Sequence, residues 1–239
     1  ILDGQSKVTR LVDKAIADGM KGMAITDHGV MFGIKEFSDY CAKINKERKA
    51  KGEEPYKPIF GCEMYVARRS MHDKEKDKHD NSGYHLIVLA KNYNGYKNLI
   101  KLVSHAWVDG YYYKPRTDRE ELEKYHEDLI VCSACIAGEV PNKIIRGDIE
   151  GAREACEWFH RVFGDDYYLE LQRHEVKDPT LVANREAYPL QQKANKVLMQ
   201  FAKEYGVKLV CTNDCHFEDK ETAEAHDHLL CLSTNEDLD

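Results

Sequence analysis

Short apolar segments that alternate with helical patterns are the feature that most limits the fold of this chain. Six segments have the length and composition of buried strands, and most are followed by apolar residues at helical spacing. Strands that are apolar on both faces are typical of parallel sheets covered by helices. The pattern therefore predicts an α/β fold of strand–helix units, either a barrel or a doubly wound sheet. The six predicted strands are residues 23–26, 58–67, 85–90, 128–133, 167–171 and 207–212.

Glycines mark the ends of two predicted helices. Apolar residues between positions 8 and 16 follow helical spacing, and Gly19 occupies the place of a C-terminal cap. A later helix is predicted to end near Tyr205, with Gly206 as its cap. Two charged stretches, residues 43–57 and 68–82, are interpreted as solvated loops. Because no internal repeat or clear linker divides the sequence, we predict a single domain over residues 1–239.

Charge and cysteine content exclude several classes of protein. The 35 Lys and Arg residues against 42 Asp and Glu residues give a net charge of −7, which argues against an autonomous DNA clamp. No apolar run approaches the roughly 18 to 20 residues that cross a bilayer, and no export signal is visible. Eight cysteines are too few for a disulfide scaffold of this length. We therefore predict a reduced, cytoplasmic protein without a membrane partner.

Acidic and imidazole side chains follow two of the predicted strands. Asp27 and His28 come directly after the first strand, and Asp214 and His216 come after the last one. In parallel α/β folds this edge of the sheet is where ligands bind. Residues two apart in an extended segment point the same way, so Asp214 and His216 can address one metal ion or one phosphate. The alternative is a purely structural turn, since Asp and His before Gly are common in turns.

Two further candidates lie within strands. Glu63 interrupts an apolar segment, where a charged side chain is costly to bury unless it is paired or binds a metal. Its alternative interpretation is an outward-facing position on an edge strand. His85 opens its strand, and by itself it fits a partly buried histidine that bonds to the backbone.

The cysteines allow a competing hypothesis. The pairs Cys132/Cys135 and Cys211/Cys215 are two possible halves of a structural zinc site. The long interval between the pairs weakens this hypothesis, and Cys132 and Cys211 lie in apolar strands where free cysteine is usually a core residue. Cys135 lies beyond its strand and is therefore a candidate ligand beside the acids and histidines.

Other reaction classes have no motif in the sequence. It contains no Gly-rich phosphate loop, no G-x-S-x-G elbow and no H-E-x-x-H helix. Residues 111–116 (YYYKPR) combine aromatic rings with cations, as surfaces for single-stranded nucleic acids do. A packed loop with exposed Lys and Arg explains this run equally well.

Taken in order, six clusters resemble those of the polymerase-and-histidinol-phosphatase (PHP) domain family, in the form found at the start of bacterial replicative DNA polymerase III alpha subunits. The resemblance extends over essentially the whole chain. The clusters are ILDG at residues 1–4, AITDHG at 24–29, IFGCE at 59–63, YHL at 84–86, CIAGE at 135–139 and NDCH at 213–216.

The resemblance implies a distorted seven-stranded (β/α) barrel with up to three divalent metal ions at its mouth. It places metal ligands at Asp3, His28, Glu63, His85, Cys135, Asp214 and His216. In the family a strand with a His-x-His motif precedes the Leu-Asp-Gly segment. We therefore expect this chain to lack that first strand. Without the histidines of that strand, we expect the chain to bind fewer than three ions or to bind them weakly. His85 begins its strand whereas the other ligands follow theirs, so either that boundary is wrong or this strand runs against its neighbours.

The function implied is that of a metal-dependent phosphodiesterase, a 3′–5′ exonuclease that proofreads the 3′ end of a DNA primer, with Asp214, His216 and His28 as catalytic residues. The mixture of imidazole, carboxylate and thiolate suits zinc better than magnesium, and manganese or magnesium are the alternative metals. Partners implied are the other domains of the alpha subunit and the other replication subunits. As an N-terminal fragment without the polymerase region, the chain is expected to have impaired activity. A structural module of the polymerase and a stand-alone histidinol-phosphatase-like enzyme are the alternatives.

Overall fold

The computed structural model of the chain describes residues 4–76, 79–177 and 185–235. In chain order its helices and strands are α1 (Val8–Ala17), β1 (Gly22–Ile25), α2 (Ile34–Ala50), β2 (Lys57–Ala67), β3 (Gly83–Ala90), α3 (Tyr93–Val108), β4 (Arg116–Thr117), α4 (Arg119–Lys124), β5 (Leu129–Cys132), α5 (Glu139–Arg146), α6 (Ile149–Phe163), β6 (Tyr167–Leu171), α7 (Ala187–Tyr205), β7 (Lys208–Cys211) and α8 (Ala223–Thr234). These residues form two compact units, and the single domain stays a prediction.

The first unit contains the described residues up to 28, residues 32–60 and those from 214 onward. Within it β1 pairs in parallel with the first four residues of β2, from Gly22 opposite Lys57 to Ile25 opposite Phe60. The helical spacing of α1 turns its apolar residues toward α2, and together they enclose a small core. This core consists of Val12, Ala15, Phe37, Cys41 and Tyr56.

The second unit contains residues 29–31 and 61–213 and holds most of the sheet. Its strands are hydrogen-bonded in the order β4, β2, β3, β5, β6 and β7. β5 to β7 are parallel to one another, whereas β3 is antiparallel to both β2 and β5. The sheet is therefore mixed: β3 departs from the parallel arrangement that the apolar strands indicated, and it runs against its neighbours, which was one of the two explanations for the position of His85. The reversed strand explains why His85 lies near the start of β3 although other candidate ligands follow their strands.

One face of this sheet forms the main core. Alternating residues of β2 and β3, among them Met64, Val66, Leu86 and Val88, are buried there. Helices α5, α6 and α7 contribute apolar side chains such as Ile144, Phe159 and Leu198 to the same core. Since side chains alternate between the faces of a sheet, Glu63, Tyr65 and His85 lie on the opposite face. The core thereby fixes which side chains of β2 and β3 are available for chemistry.

All six predicted strands are present, with boundaries that differ by at most two residues. The two glycine caps are also confirmed, since Gly19 and Gly206 both have positive φ angles at helix ends. The prediction of a loop over residues 43–57 is wrong in its first half. There α2 continues to Ala50, because Lys, Glu and Arg are good helix formers even where no apolar side dominates.

The other charged stretch, residues 68–82, lies outside regular helices and strands for the residues described. It is less solvated than predicted, because Met71 and Asp80 are buried within it. The strand β4 was not predicted at all. Among the described residues, no helix is long and apolar enough to span a membrane.

Candidate metal centre

Three of the predicted ligands meet in the second unit. One ligand atom each of Glu63, His85 and Cys135 lies within 4.8 Å of the other two. The Cys135 Sγ atom is 3.6 Å from Nδ1 of His85, and the Glu63 carboxylate contacts the same nitrogen. In the part of the chain that the structure describes, this is the only group of three His, Cys, Asp or Glu side chains close enough to hold one ion.

The register between β2 and β3 brings the first two ligands together. His85 is directly opposite Tyr65, and Glu63 is two residues further along the same face. In an antiparallel pair such diagonal neighbours are within reach of long side chains. Glu63 and His85, which are far apart in the sequence, therefore meet because antiparallel strands place them side by side. They do not meet at the ends of parallel strands.

Cys135 reaches this site from the loop that follows β5. The loop turns at Ala134, whose φ of +61° is left-handed, and closes with a hydrogen bond from the Gly138 N–H to the Cys135 carbonyl. The N–H of His85 donates to the carbonyl of Ala137, which ties the loop to the start of β3. A Cβ atom at Gly138 would lie 2.0 Å from the Ser133 carbonyl oxygen, so only glycine fits this position.

The surroundings of His85 favour a positive charge. Burial lowers the pKa of this imidazole, but the hydrogen bonds to Cys135 and Glu63 outweigh burial and raise the pKa from 6.5 to about 10. The two partners are the Glu63 carboxylate and the Cys135 sulfur. The space among the three side chains is thus electrostatically suited to a cation.

A second set of predicted ligands meets in the first unit. Nε2 of His28 lies 3.3 Å from Nε2 of His216. Nδ1 of His216 lies 3.1 Å from the Asp214 carbonyl oxygen and 3.5 Å from its carboxylate. When Nδ1 of His216 carries the proton and donates it to this carbonyl, the Nε2 lone pair points toward His28, which is the tautomer of metal-binding histidines.

One pair of donor atoms in each set has the spacing that zinc requires. Metal–ligand distances of about 2.0 to 2.3 Å at tetrahedral angles separate two nitrogens by about 3.3 Å and a nitrogen and a sulfur by about 3.6 Å. The two histidines of the first unit are 3.3 Å apart, and the sulfur–nitrogen pair of the second unit is 3.6 Å apart. Each of these two atom pairs therefore has the spacing of two ligands of one zinc ion.

Comparison with known proteins identifies the family. A family model described as the PHP domain matches residues 1–174. The chain belongs to the PHP domain family. The PHP chain is 42% identical over 234 residues to the DNA polymerase III subunit alpha of Borreliella burgdorferi and 40% identical over 235 residues to that of Treponema pallidum. It is 37% identical over 242 residues to the same subunit of Thermus aquaticus.

These alignments cover 98%, 98% and 100% of the PHP chain. The chain spans 18% of the length of each of these relatives. The resemblance drawn from the sequence is therefore confirmed, both for the family and for its similarity to DNA polymerase III alpha subunits.

The structure brings six of the seven predicted ligands of the PHP chain into two sets. Glu63, His85 and Cys135 form one set, and His28, Asp214 and His216 form the other. Whether both sets bind metal, and whether they share one rim, stays a prediction. Asp3 lies outside the described residues.

The competing four-cysteine zinc site is not supported. Cys132 is buried in β5, and burial raises the pKa of its thiol, which disfavours the thiolate that binds metals. Cys135 instead contacts His85, and its sulfur lies within 4.8 Å of a Glu63 carboxylate oxygen. Cys211 and Cys215 are exposed, and the described residues hold no metal-binding group that includes them.

Sequence reasoning missed Glu170, a buried acid of β6. One of its carboxylate oxygens accepts a hydrogen bond from the N–H of Ala134, next to Cys135, and the other accepts the Thr212 hydroxyl at 2.7 Å. Its own N–H donates to the Ser133 hydroxyl at 2.8 Å. Glu170 thus joins the ends of β5, β6 and β7. The sequence feature that could have identified Glu170 is an acidic residue within the apolar strand YYLEL. The same reasoning selected Glu63.

We expect the Glu170→Ala variant to lose about 3 kcal/mol of unfolding free energy, because two hydrogen bonds to a buried charged group are removed and their donors are left unpaired. Urea denaturation measures this loss. The matched control is Glu175→Ala, whose exposed acid pairs with Arg173 and whose loss is expected to cost less than about 1 kcal/mol. Equal unfolding midpoints for the two variants would contradict the role of Glu170.

Proposed function

We propose that this chain forms the PHP domain of a bacterial DNA polymerase III alpha subunit and acts as a metal-dependent phosphodiesterase. Its substrate would be the 3′ end of a DNA primer, from which it would remove nucleotides as a 3′–5′ exonuclease in proofreading. The observation that carries the proposal is the meeting of Glu63, His85 and Cys135 within 4.8 Å in a family that includes replicative polymerase subunits.

Zinc is the metal that the donor atoms favour. Thiolate and imidazole ligands suit zinc, whereas magnesium and manganese prefer oxygen ligands. Glu63, His85 and Cys135 would hold one ion, and His28 and His216 with Asp214 would hold another. Asp3 is proposed as a further ligand on the resemblance alone.

When bound, divalent ions polarise a scissile phosphate and lower the pKa of a coordinated water. The side chains prepare the site for this chemistry. The Asp214 carbonyl keeps the His216 proton on Nδ1, so that Nε2 faces His28. Glu63 supplies a buried negative charge that offsets the charge of a cation. We assign catalytic roles to Asp214, His216 and His28.

The proposed setting is bacterial DNA replication in the cytoplasm. Partners would be the primer strand, the remaining domains of the alpha subunit and other replication subunits. A second candidate function is a structural one. The ligands Glu63, His85 and Cys135 come from β2, β3 and the loop after β5, so an ion there would also cross-link three elements of the sheet.

Release of the terminal nucleotide from a 3′-labelled primer tests the proposal. The assay compares zinc-loaded protein with protein stripped by a chelator, both for the 239-residue chain and for a full-length alpha subunit that contains it. We expect release to require metal and to be faster in the longer protein, where the primer is delivered to the site. Metal-dependent folding stability without any nucleotide release in either protein would favour the structural function instead.

A further inference from the structure

Exposed aromatic side chains form a patch at the end of α3 and in the loop that follows it. The patch consists of Trp107, Tyr111 and Tyr113, which are 45%, 47% and 59% exposed, together with Lys114. Trp107 and Tyr111 are stacked, with ring centroids 5.5 Å apart. A stacked pair of exposed rings, with a third exposed ring and a lysine in the same loop, is unusual on a surface that serves only to contact water.

The loop that carries the patch is held rigidly. Arg116 is fully buried and its guanidinium group donates hydrogen bonds to four backbone carbonyls, those of Gly110, Met71, Asp73 and Asp80. This buried position excludes Arg116 from contact with a ligand. A Cβ atom at Gly110 would lie 1.8 Å from the Arg116 carbonyl oxygen. The two backbone segments are therefore too close together at this point for any residue other than glycine.

Tyr113 has a φ angle of +60°, a left-handed conformation that is strained for a bulky side chain. The surrounding loop therefore maintains an unfavourable conformation that leaves this ring exposed. Strained residues of this kind concentrate at binding sites.

Contacts through the buried Tyr65 ring and the Gly29 backbone join the patch to the metal centre of the second unit. The Lys114 ammonium group lies 5.2 Å from the ring centroid of Tyr65, and the Tyr65 ring meets the His85 ring edge to face at 5.3 Å. On the other side, the Trp107 indole N–H donates to the Gly29 carbonyl, and the Gly29 N–H donates to the Glu63 carbonyl. Two short routes thus connect the patch with Glu63 and His85.

We propose that this aromatic patch binds the last bases of a single-stranded DNA end and directs its phosphate toward the metal centre. The proposal rests on the proposed phosphodiesterase function and adds a substrate-binding surface to it. Aromatic rings stack on any base, and a cation beside them contacts the backbone phosphate. Because the net charge of −7 gives no general attraction for DNA, stacking has to supply much of the affinity.

The test uses the 239-residue chain and a fluorescent ten-nucleotide oligo(dT), with binding followed by anisotropy. We expect Tyr111→Leu and Tyr113→Leu each to weaken binding about 5- to 100-fold, because each removes a stacking ring while an apolar side chain remains. Lys114→Gln is expected to weaken binding and to reduce its salt dependence by about one phosphate contact.

The matched control is Tyr93→Leu. Tyr93 is also exposed and has a lysine, Lys97, over its ring, but it lies at the opposite end of α3, about 21 Å along the helix axis from Trp107. This variant is expected to bind oligo(dT) like the unchanged chain. If the Tyr111 and Tyr113 variants also bind like the unchanged chain, or if the unchanged chain does not bind oligo(dT), the inference is overturned.

Hydrolysis of bis(4-nitrophenyl) phosphate by the zinc-loaded protein separates this inference from the proposed function. The small diester has no base that stacks, so we expect the patch variants to hydrolyse it at the rate of the unchanged protein. Failure of all proteins to hydrolyse it while oligo(dT) binding still depends on Tyr111 and Tyr113 would refute the phosphodiesterase activity but support the DNA-binding patch. Equal loss of hydrolysis and binding in the patch variants would show damage to the fold and overturn the inference.

Discussion

Replacement of Cys135 by alanine is expected to lower the zinc affinity of the second unit at least about 100-fold. Loss of a side chain that only supports a metal ligand typically costs 10- to 100-fold in affinity, so loss of a direct ligand costs more. No other thiol can substitute, because the described metal-binding group contains Cys135 as its only cysteine. Competition against a chromophoric zinc chelator measures the affinity.

Two further variants sharpen this prediction. Glu63→Gln keeps the size of the side chain but removes its charge, and we expect it to lower the zinc affinity as well. Cys211→Ala removes an exposed cysteine outside the group and serves as the control, with unchanged affinity. Zinc is also expected to raise the melting temperature of the unchanged chain and not that of Cys135→Ala, since ligands that bind only the folded state stabilise it. Equal affinities for Cys135→Ala and Cys211→Ala would contradict the assigned site.

The strands of the fold were predictable because each is a short apolar segment bounded by polar residues. Their direction was not. A strand that is buried on one face and half-buried on the other has the same composition whether its neighbours are parallel or antiparallel, and β3 is of this kind. The position of His85 at the start of its strand was the single indication of the reversal. β4 escaped prediction because its residues, Arg116 and Thr117, are polar, and the burial of Arg116 depends on distant carbonyls.

The candidate site was predictable in its residues rather than in its geometry. Glu63 stood out as a charge in an apolar strand, and Asp214 and His216 stood out by their spacing after a strand. The contact of Cys135 with His85 depends on the turn at Ala134 and Gly138, and the glycine permits this turn without indicating which side chain the turn brings to Cys135. Glu170 shows that the criterion used for Glu63 selects supporting residues as well as ligands, because both are buried acids within strands.

Removal of the carboxylate or the imidazole after β7 is expected to abolish nucleotide release. We expect Asp214→Asn and His216→Ala, introduced into the full-length alpha subunit, to lower the rate at least about 100-fold, since each removes a proposed ligand and a proposed catalytic group. The Asn variant retains the backbone carbonyl that positions His216, so its loss reports the carboxylate itself. Release from a 3′-labelled primer with zinc supplied is the measurement.

The controls come from α8, which carries the same residue types at exposed positions. Asp227→Asn and His228→Ala change an acid and a histidine there, and the rate is expected to stay within about twofold of the unchanged protein, because exposed substitutions usually have small effects. Zinc titration of the same proteins shows whether the Glu63, His85 and Cys135 site still binds its ion. If the His216→Ala protein is inactive but still binds this ion, cleavage is assigned to the His28 and His216 pair. The ion site of the second unit would then be intact and yet insufficient for the reaction. Unchanged release by both Asp214→Asn and His216→Ala would show that neither residue is catalytic.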